Sequence, residues 1–127
     1  MSEQGRIWEA EWGPLGVVEG HDDVEGVLRW AVASDPVHVA VHRIEGLGDD
    51  PPAYTSPHRH QDEELNLILG EDLVYEIRIG EDTSLVRAPG AVWVPSGVPH
   101  AANARGGRGH LICIRFTPGE RPARGTR

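Results

Sequence analysis

The chain has 127 residues, a length that suits one domain, and a formal net charge of −8 with no lysine. A chain this acidic repels phosphates, which excludes nucleic acid as a partner, and no stretch reaches the roughly 18–20 apolar residues of a membrane span. The single cysteine, Cys113, excludes an intramolecular disulfide, and residues 1–15 hold no apolar run typical of a signal peptide, so we expect a cytoplasmic protein.

Glycine and proline, 16 and 10 in number, punctuate the whole chain and favour short strands joined by turns. Segment 24–30 fits either one helical turn or a strand, although Gly26 weakens the helix prediction. The predicted strands, in chain order, are 6–12, 27–33, 37–44, 64–69, 73–79, 83–87, 91–94 and 109–116. About eight short strands without a helix predict an all-β fold, an antiparallel jelly-roll β-barrel of one domain.

Residue types that bind metals are concentrated in two segments. His58 and His60 lie two residues apart, which on a strand would put both imidazoles on the same face, and Glu64 keeps that parity. Neutral imidazole is the commonest protein ligand for transition metals, and the glutamate would supply an anionic oxygen. The second segment, 94–100, ends in His100 after a turn that two prolines and a glycine stiffen. A stiff turn favours a preorganised metal site.

The first segment resembles the first motif of the cupin superfamily. That motif is roughly a glycine, five residues, His-x-His, three or four residues, a glutamate, six residues and a glycine. His58, His60 and Glu64 fit it, whereas Gly70 comes one residue early and Pro52 replaces the leading glycine.

The second segment resembles the second cupin motif, which is roughly a glycine, five residues, Pro-x-Gly, two residues, a histidine, three residues and an asparagine. Pro95, Gly97 and His100 fit that motif. Gly90 is followed by four residues instead of five, and Asn103 comes one residue early. The spacings that join the ligands are kept, and those that differ belong to turns.

The resemblance implies a small single-domain cupin metalloprotein. Residues 1–36 would form N-terminal strands and a dimer-contact segment, residues 37–116 the barrel with both motifs, and residues 117–127 a flexible tail. Trp8 and Trp12 in the first predicted strand indicate a covered interface. Cupin-like proteins are often dimers, so we expect a homodimer.

The resemblance further implies that His58, His60, Glu64 and His100 bind one divalent transition metal ion inside the barrel and leave positions for water or substrate. Iron(II) is the first expectation, and zinc, manganese, nickel or copper would fit the same ligands. Glu63 would replace Glu64 if a bulge shifted the strand. Parity with His60 and the motif spacing favour Glu64.

Other polar residues share the predicted inward faces. Asn66 keeps the parity of the glutamate ligand and would bind substrate or orient that ligand, unless it is a satisfied core amide. Tyr75 is either a catalytic acid or a core residue. His38 and His42 are either a substrate-binding residue and a catalytic base or a partly exposed pair. Arg115 would bind a substrate carboxylate.

These residues favour an enzyme that acts on a small molecule, first of all by an oxygen-using, dioxygenase-type reaction. Two alternatives remain open at this point. One is a non-redox metalloenzyme with zinc, manganese or nickel, such as an isomerase, a lyase or a bond-forming enzyme, including one that joins two nitrogens. The other is a metal-dependent small-molecule binding protein without catalysis.

Overall fold

A computed structural model describes residues 5–34 and 37–116. These residues form six strands: β1 Val27–Ser34, β2 Val37–Ile44, β3 Glu63–Ile79, β4 Asp82–Arg87, β5 Gly90–Val94 and β6 His100–Phe116. Within these two ranges there is no helix, and accordingly none that is long and apolar enough to cross a membrane. The predicted tail, 117–127, lies outside the described residues.

All strand pairs are antiparallel, which confirms the predicted all-β fold class. The strand order is β1-β2-β6-β3-β4, and β5 pairs with β3 beside β4. Between residues 5 and 116 the pairing follows this open path and does not close the sheet on itself. The two 17-residue strands β3 and β6 pair along their length and form the middle of the sheet.

The prediction of two strands, 64–69 and 73–79, separated by a turn at Gly70 was wrong, because β3 runs through this position. Gly70 pairs with Gly109 of β6, and both have positive φ, at 144° and 149°. A Cβ on Gly70 would lie 2.1 Å from the carbonyl oxygen of Arg108. The two glycines therefore let the backbones approach closely, and register shifts between Glu71 and Tyr75 change the pairing without ending the strand.

The predicted strand 6–12 is also absent, since residues 5–12 have no strand pairing and only Gly13 forms an isolated bridge, with Arg29. Trp12 instead packs by its ring. Its centroid lies 6.2 Å from that of Trp30 and 5.9 Å from that of His110. Aromatic packing on the outer face of the sheet, and not sheet pairing, holds this segment.

A hydrophobic core fills the space between the inner face of the sheet and the segments that lead to it. Its fully buried side chains include Leu15, Tyr54, Ile68, Leu73 and Tyr75. Inward and outward residues alternate along the strands, as a sheet with one covered face requires. Near β1 and β2 the inner face is lined by smaller and more polar side chains, and there it surrounds a cavity.

Candidate metal centre

The histidines of the two sequence motifs are brought together by backbone pairing. His58 precedes β3 in a segment outside the named strands, so the strand that we invoked for His58 and His60 is not formed. His58 instead makes an isolated bridge with His100, the first residue of β6. Their backbones exchange two hydrogen bonds, from His58 N to His100 O at 3.0 Å and from His100 N to His58 O at 2.8 Å.

The buried amide of Asn103 fixes the segment that leads to these histidines. Its Oδ1 accepts hydrogen bonds from the backbone nitrogens of Tyr54 and Thr55, at 2.8 and 2.9 Å. The Thr55 hydroxyl donates to the carbonyl oxygen of Ala102 at 2.8 Å. The segment thus has a defined path although it is not a strand, because β6 supplies partners for its polar groups.

The three imidazoles form a compact group. The ring centroid of His100 lies 4.5 Å from that of His58 and 4.9 Å from that of His60. One nitrogen from each ring can be chosen so that all three lie within 4.8 Å of one another. Two nitrogens bonded to one zinc ion at about 2.0–2.1 Å are at most about 4.2 Å apart, so at most small shifts of these side chains would bring all three nitrogens into contact with a common ion.

Each of these rings is oriented by a hydrogen bond from Nδ1 to a backbone carbonyl oxygen. The acceptors for His58, His60 and His100 are, in that order, Ser56, Asp62 and Val98, at 2.9, 3.0 and 3.0 Å. A carbonyl oxygen only accepts, so Nδ1 holds the hydrogen of the neutral ring and Nε2 keeps its lone pair. Metal-binding histidines are usually oriented in this way, with the N–H of the ring nitrogen that does not bind the metal donated to a neighbouring oxygen.

The buried Nε2 of His100 has no hydrogen-bond partner among the described residues. A buried polar atom without a partner costs free energy, and a metal ion at this position would satisfy it. Burial lowers the pKa of His100, opposed by the hydrogen bond to Val98 and the charge of Glu64, so the ring favours its neutral, metal-binding form. These residues therefore fit a transition metal ion.

Glu64 lies beside the histidines. Its Oε1 is 3.0 Å from Nε2 of His60, and its Oε2 is 3.8 Å from Nε2 of His100. Asn66 donates a hydrogen bond to Oε2 at 2.8 Å. Burial alone would raise the pKa of Glu64, but the contact with His60 and the hydrogen bonds from Asn66 and Cys113 outweigh it and lower the pKa to about 2. The carboxylate is therefore charged at neutral pH.

Glu63 begins β3 one residue earlier, on the opposite face of the strand from Glu64. The register is continuous from Glu63 to Glu71, and the shifts come only after Glu71. The bulge that would turn Glu63 toward the histidines is thus not present at this end of β3.

The sheet leaves a cavity of about 180 Å³ next to the histidines. One cross-strand row of its inner face consists of Ala31, Ala40, Cys113 and Asn66. Because the two alanines have a single side-chain carbon, this part of the sheet stays open. The cavity is lined by His58, Glu64 and His100 on one side and by residues of β1, β2 and β6 elsewhere.

The structure places the other predicted site residues in two different environments. Asn66, His38, His42 and Arg115 all line the cavity. Tyr75 instead lies fully buried in the core, where it shares a 2.7 Å hydrogen bond with the hydroxyl of the equally buried Tyr54. Tyr75 has no position in the cavity lining from which to contact a substrate.

His42 is a neutral imidazole at the cavity wall. Burial lowers its pKa to about 3, and the nearby His21 and Arg29 act in the same direction. Its Nδ1 is buried without a hydrogen-bond partner in the part of the chain that the structure describes. The ring thus carries an unsatisfied polar atom beside the cavity.

Four polar lining residues, His21, Arg29, Thr55 and Cys113, were missed by the sequence prediction. A signal existed for Arg29. Only two residues separate β1 from β2, and in the resulting hairpin Arg29 pairs with His42. Because paired residues point to the same face of a sheet, Arg29 shares the inward face that was predicted for His42. For His21, which precedes the first strand, no strand parity was available.

No protein-family model and no curated protein matches this chain. Among solved structures, a cupin superfamily protein from Desulfitobacterium hafniense DCB-2 is 22% identical, with a TM-score of 0.58, and the match covers 87% of this chain and 93% of that one.

Two longer proteins are similar over about half of their length. The iron(II) form of HppE is 20% identical, with a TM-score of 0.56 over 71% of this chain and 50% of that one. The DMSP lyase DddQ from Ruegeria pomeroyi DSS-3 is 19% identical, with a TM-score of 0.54 over 77% of this chain and 50% of that one. Together with the two sequence motifs and the histidine cluster, these similarities show that the chain has the fold of the cupin superfamily.

Proposed function

We propose that the protein is a metal-dependent enzyme that acts on a small molecule bound in the cavity. One observation supports this most strongly. Three imidazoles have Nδ1 fixed by backbone carbonyls, and the Nε2 atom of His100 is buried without a hydrogen-bond partner in residues 5–34 and 37–116. The group opens on a cavity with further polar residues. A barrel with a purely structural role needs neither the oriented rings nor the cavity.

His58, His60, His100 and Glu64 would hold one divalent transition metal ion. We propose iron(II) first, because the ligand set suits it and because HppE, which is similar in fold, exists in an iron(II) form. Zinc, manganese, nickel and copper suit the same residues. When bound, the ion would supply a Lewis acid and, in the case of a redox-active metal, a centre that exchanges electrons with an oxidant.

The residues around the ligands have their own tasks. Asn66 holds the Glu64 carboxylate by its 2.8 Å hydrogen bond. Arg115, with Nε 3.6 Å from Oε1 of Glu64, adds positive charge beside that carboxylate. His42 stays neutral at the cavity wall, where a shift of its ring would let Nδ1 accept a hydrogen bond from a bound substrate.

For the reaction we propose a dioxygenase-type oxidation of the small molecule. A non-redox reaction is the second candidate, because the lyase DddQ is similar in fold to nearly the same degree. It would be an isomerisation, an elimination or a bond formation, including one between two nitrogens, with zinc, manganese or nickel. We also propose a cytoplasmic location, since the single cysteine suits a reducing compartment.

Oxygen consumption and product formation test the proposal. Protein loaded with iron(II) under nitrogen, and separately with zinc, would be mixed with small organic substrates and then exposed to air. The proposal expects substrate-dependent oxygen uptake with iron, its loss in His100→Ala, and its retention in His110→Ala, a variant on the outer face of β6. Turnover that is equal with zinc and without oxygen would favour the non-redox reaction. Ligand binding without product under any condition would overturn the enzymatic proposal.

A further inference from the structure

The cavity differs in charge from the protein around it. The chain has a formal net charge of −8, but the charged side chains that line the cavity are two arginines, Arg29 and Arg115, and one carboxylate, Glu64. A divalent ion at the histidines would add to this positive charge. An acidic protein with a positively charged cavity is suited to a small anion, which the cavity attracts and the surface does not.

The two arginines differ in how their charge is balanced. Nε of Arg115 lies 3.6 Å from Oε1 of Glu64, so its charge is already opposed. The guanidinium of Arg29 has neither an ion pair nor a hydrogen bond to another residue within 5–34 and 37–116. It is also partly buried, and burial lowers the pKa of Arg29, opposed by Cys113 and aided by Arg115. A desolvated cation without a counter-charge is unfavourable until an anion joins it.

Arg29 lies in the sheet two strands away from β6. It pairs with His42 of β2, which pairs in turn with Leu111, and all three residues line the cavity. Arg29 lines the same cavity as Cys113 and Arg115 of β6, which puts its side chain on the inner face of the sheet. The neighbouring inward positions of β1 are Ala31 and Ala33, whose small side chains leave space for a ligand.

We propose that Arg29 binds the carboxylate of a small organic acid whose remaining polar groups lie toward the metal-binding histidines, an inference that rests on the proposed metal-dependent function. The planar guanidinium matches the two oxygens of a carboxylate. A cavity of about 180 Å³ has room for a molecule of roughly ten non-hydrogen atoms. The alanine side chains in its wall, together with Val18 and Leu111, suit the carbon skeleton of such an acid.

Binding measurements on paired probes test this inference. The metal-loaded protein would be titrated calorimetrically with 2-hydroxybutyrate, 2-oxobutyrate and phenylpyruvate, with the amide of each acid, and with inorganic phosphate. We expect at least one acid to bind about tenfold or more tightly than its amide and than phosphate.

Three variants assign that preference to a residue. Arg29→Gln should weaken binding of the acid by about tenfold to a hundredfold and leave amide binding and metal content unchanged. Arg29→Lys keeps the charge without the bidentate geometry and should weaken binding less, which preserves the test if the glutamine variant folds poorly. Arg87→Gln, on an exposed position of β4, is the matched control and should bind like the wild type.

The proposal is overturned if no acid binds, if acid and amide bind equally, if phosphate is preferred, or if Arg29→Gln binds the acid like the wild type. These results are separable from those on the metal. If the protein takes up no metal but acid binding still depends on Arg29, the proposed function fails and the carboxylate site stands. If the metal binds and a neutral substrate turns over equally in Arg29→Gln, only the carboxylate site fails.

Discussion

His58 and His100 exchange two backbone hydrogen bonds, and their ring centroids lie 4.5 Å apart. The bridge joins a segment outside the strands to the first residue of β6. It brings together two histidines that are 42 positions apart in the chain, and it does so by the same backbone pairing that builds the sheet. The cluster is therefore part of the fold, which is what a preorganised metal site requires.

The amide of Asn103 should be needed for stability. Asn103→Ala removes the oxygen that accepts from the backbone nitrogens of Tyr54 and Thr55, and the loss of partners for two buried donors should lower the free energy of unfolding by about 2–4 kcal/mol. Urea denaturation measures the change. Asn103→Asp keeps the acceptor oxygen and should lower the free energy of unfolding by a smaller amount. Equal stability of the alanine variant and the wild type would contradict this role.

The two neighbouring glutamates should differ in their effect on metal affinity. Glu64→Gln removes the anionic oxygen beside His60 and His100, so we expect metal affinity to fall by at least about tenfold. Glu63→Gln is the matched control, because its side chain starts on the other face of β3. Competition with a chelating dye measures both. A larger loss in the Glu63 variant would reverse the assignment.

His42 should contribute to the acid sensitivity of the fold. Its pKa is about 3 in the folded chain, against about 6.5 in the unfolded chain, so the unfolded chain takes up the proton first. The contribution of His42 to the free energy of unfolding is therefore complete above about pH 6.5. It falls as the pH drops toward 3, by about 1.4 kcal/mol for each pH unit.

The matched variant is His42→Phe, whose ring does not titrate. Between pH 7 and pH 5, in the presence of a chelator, the free energy of unfolding should fall by about 2 kcal/mol more in the wild type than in the variant. Urea denaturation at both pH values measures this difference. Equal losses in the two proteins would mean that the folded and unfolded pKa values of His42 are similar.

The outer face of the sheet at β1, β2, β6, β5 and the first half of β3, away from β4, should form the expected homodimer. One of its cross-strand rows is entirely apolar and consists of Val32, Val39, Ile114, Leu65 and Trp93. Trp93 is still 46% exposed in the single chain. Light scattering after gel filtration should give twice the chain mass, and Trp93→Glu should give one chain mass. Leu85→Glu, at an exposed position of β4, should stay dimeric. A monomeric wild type would contradict the expectation.

Local patterns in the sequence predicted the strands well where one face is buried. The alternation in segment 37–44 predicted β2 with its observed bounds, and it placed His38 and His42 on the face that lines the cavity. Parity also placed Glu64 and Asn66 on one face of β3, where the amide of Asn66 holds the carboxylate of Glu64. These inferences need only the two-residue period of a strand.

The sequence was less informative where the structure depends on contacts between neighbouring strands. At Gly70 the sequence is typical of a turn, but the facing Gly109 lets the strand continue, and these two residues are 39 positions apart. For Tyr75 parity left both a core and a pocket role open, and the core position follows only from where β3 lies after its register shifts. Arg29 required the register between two strands, which the periodicity of one strand does not contain.

Whether His58, His60, Glu64 and His100 hold a metal ion is tested most directly by the metal content of the purified protein, measured by elemental analysis after expression with iron, zinc, manganese, nickel or copper. We predict close to one ion per chain with at least one of these metals. The content should fall to a small fraction in His100→Ala and stay unchanged in His110→Ala. A wild type far below one ion per chain with every metal, or a His100→Ala variant that keeps its ion, would contradict this prediction.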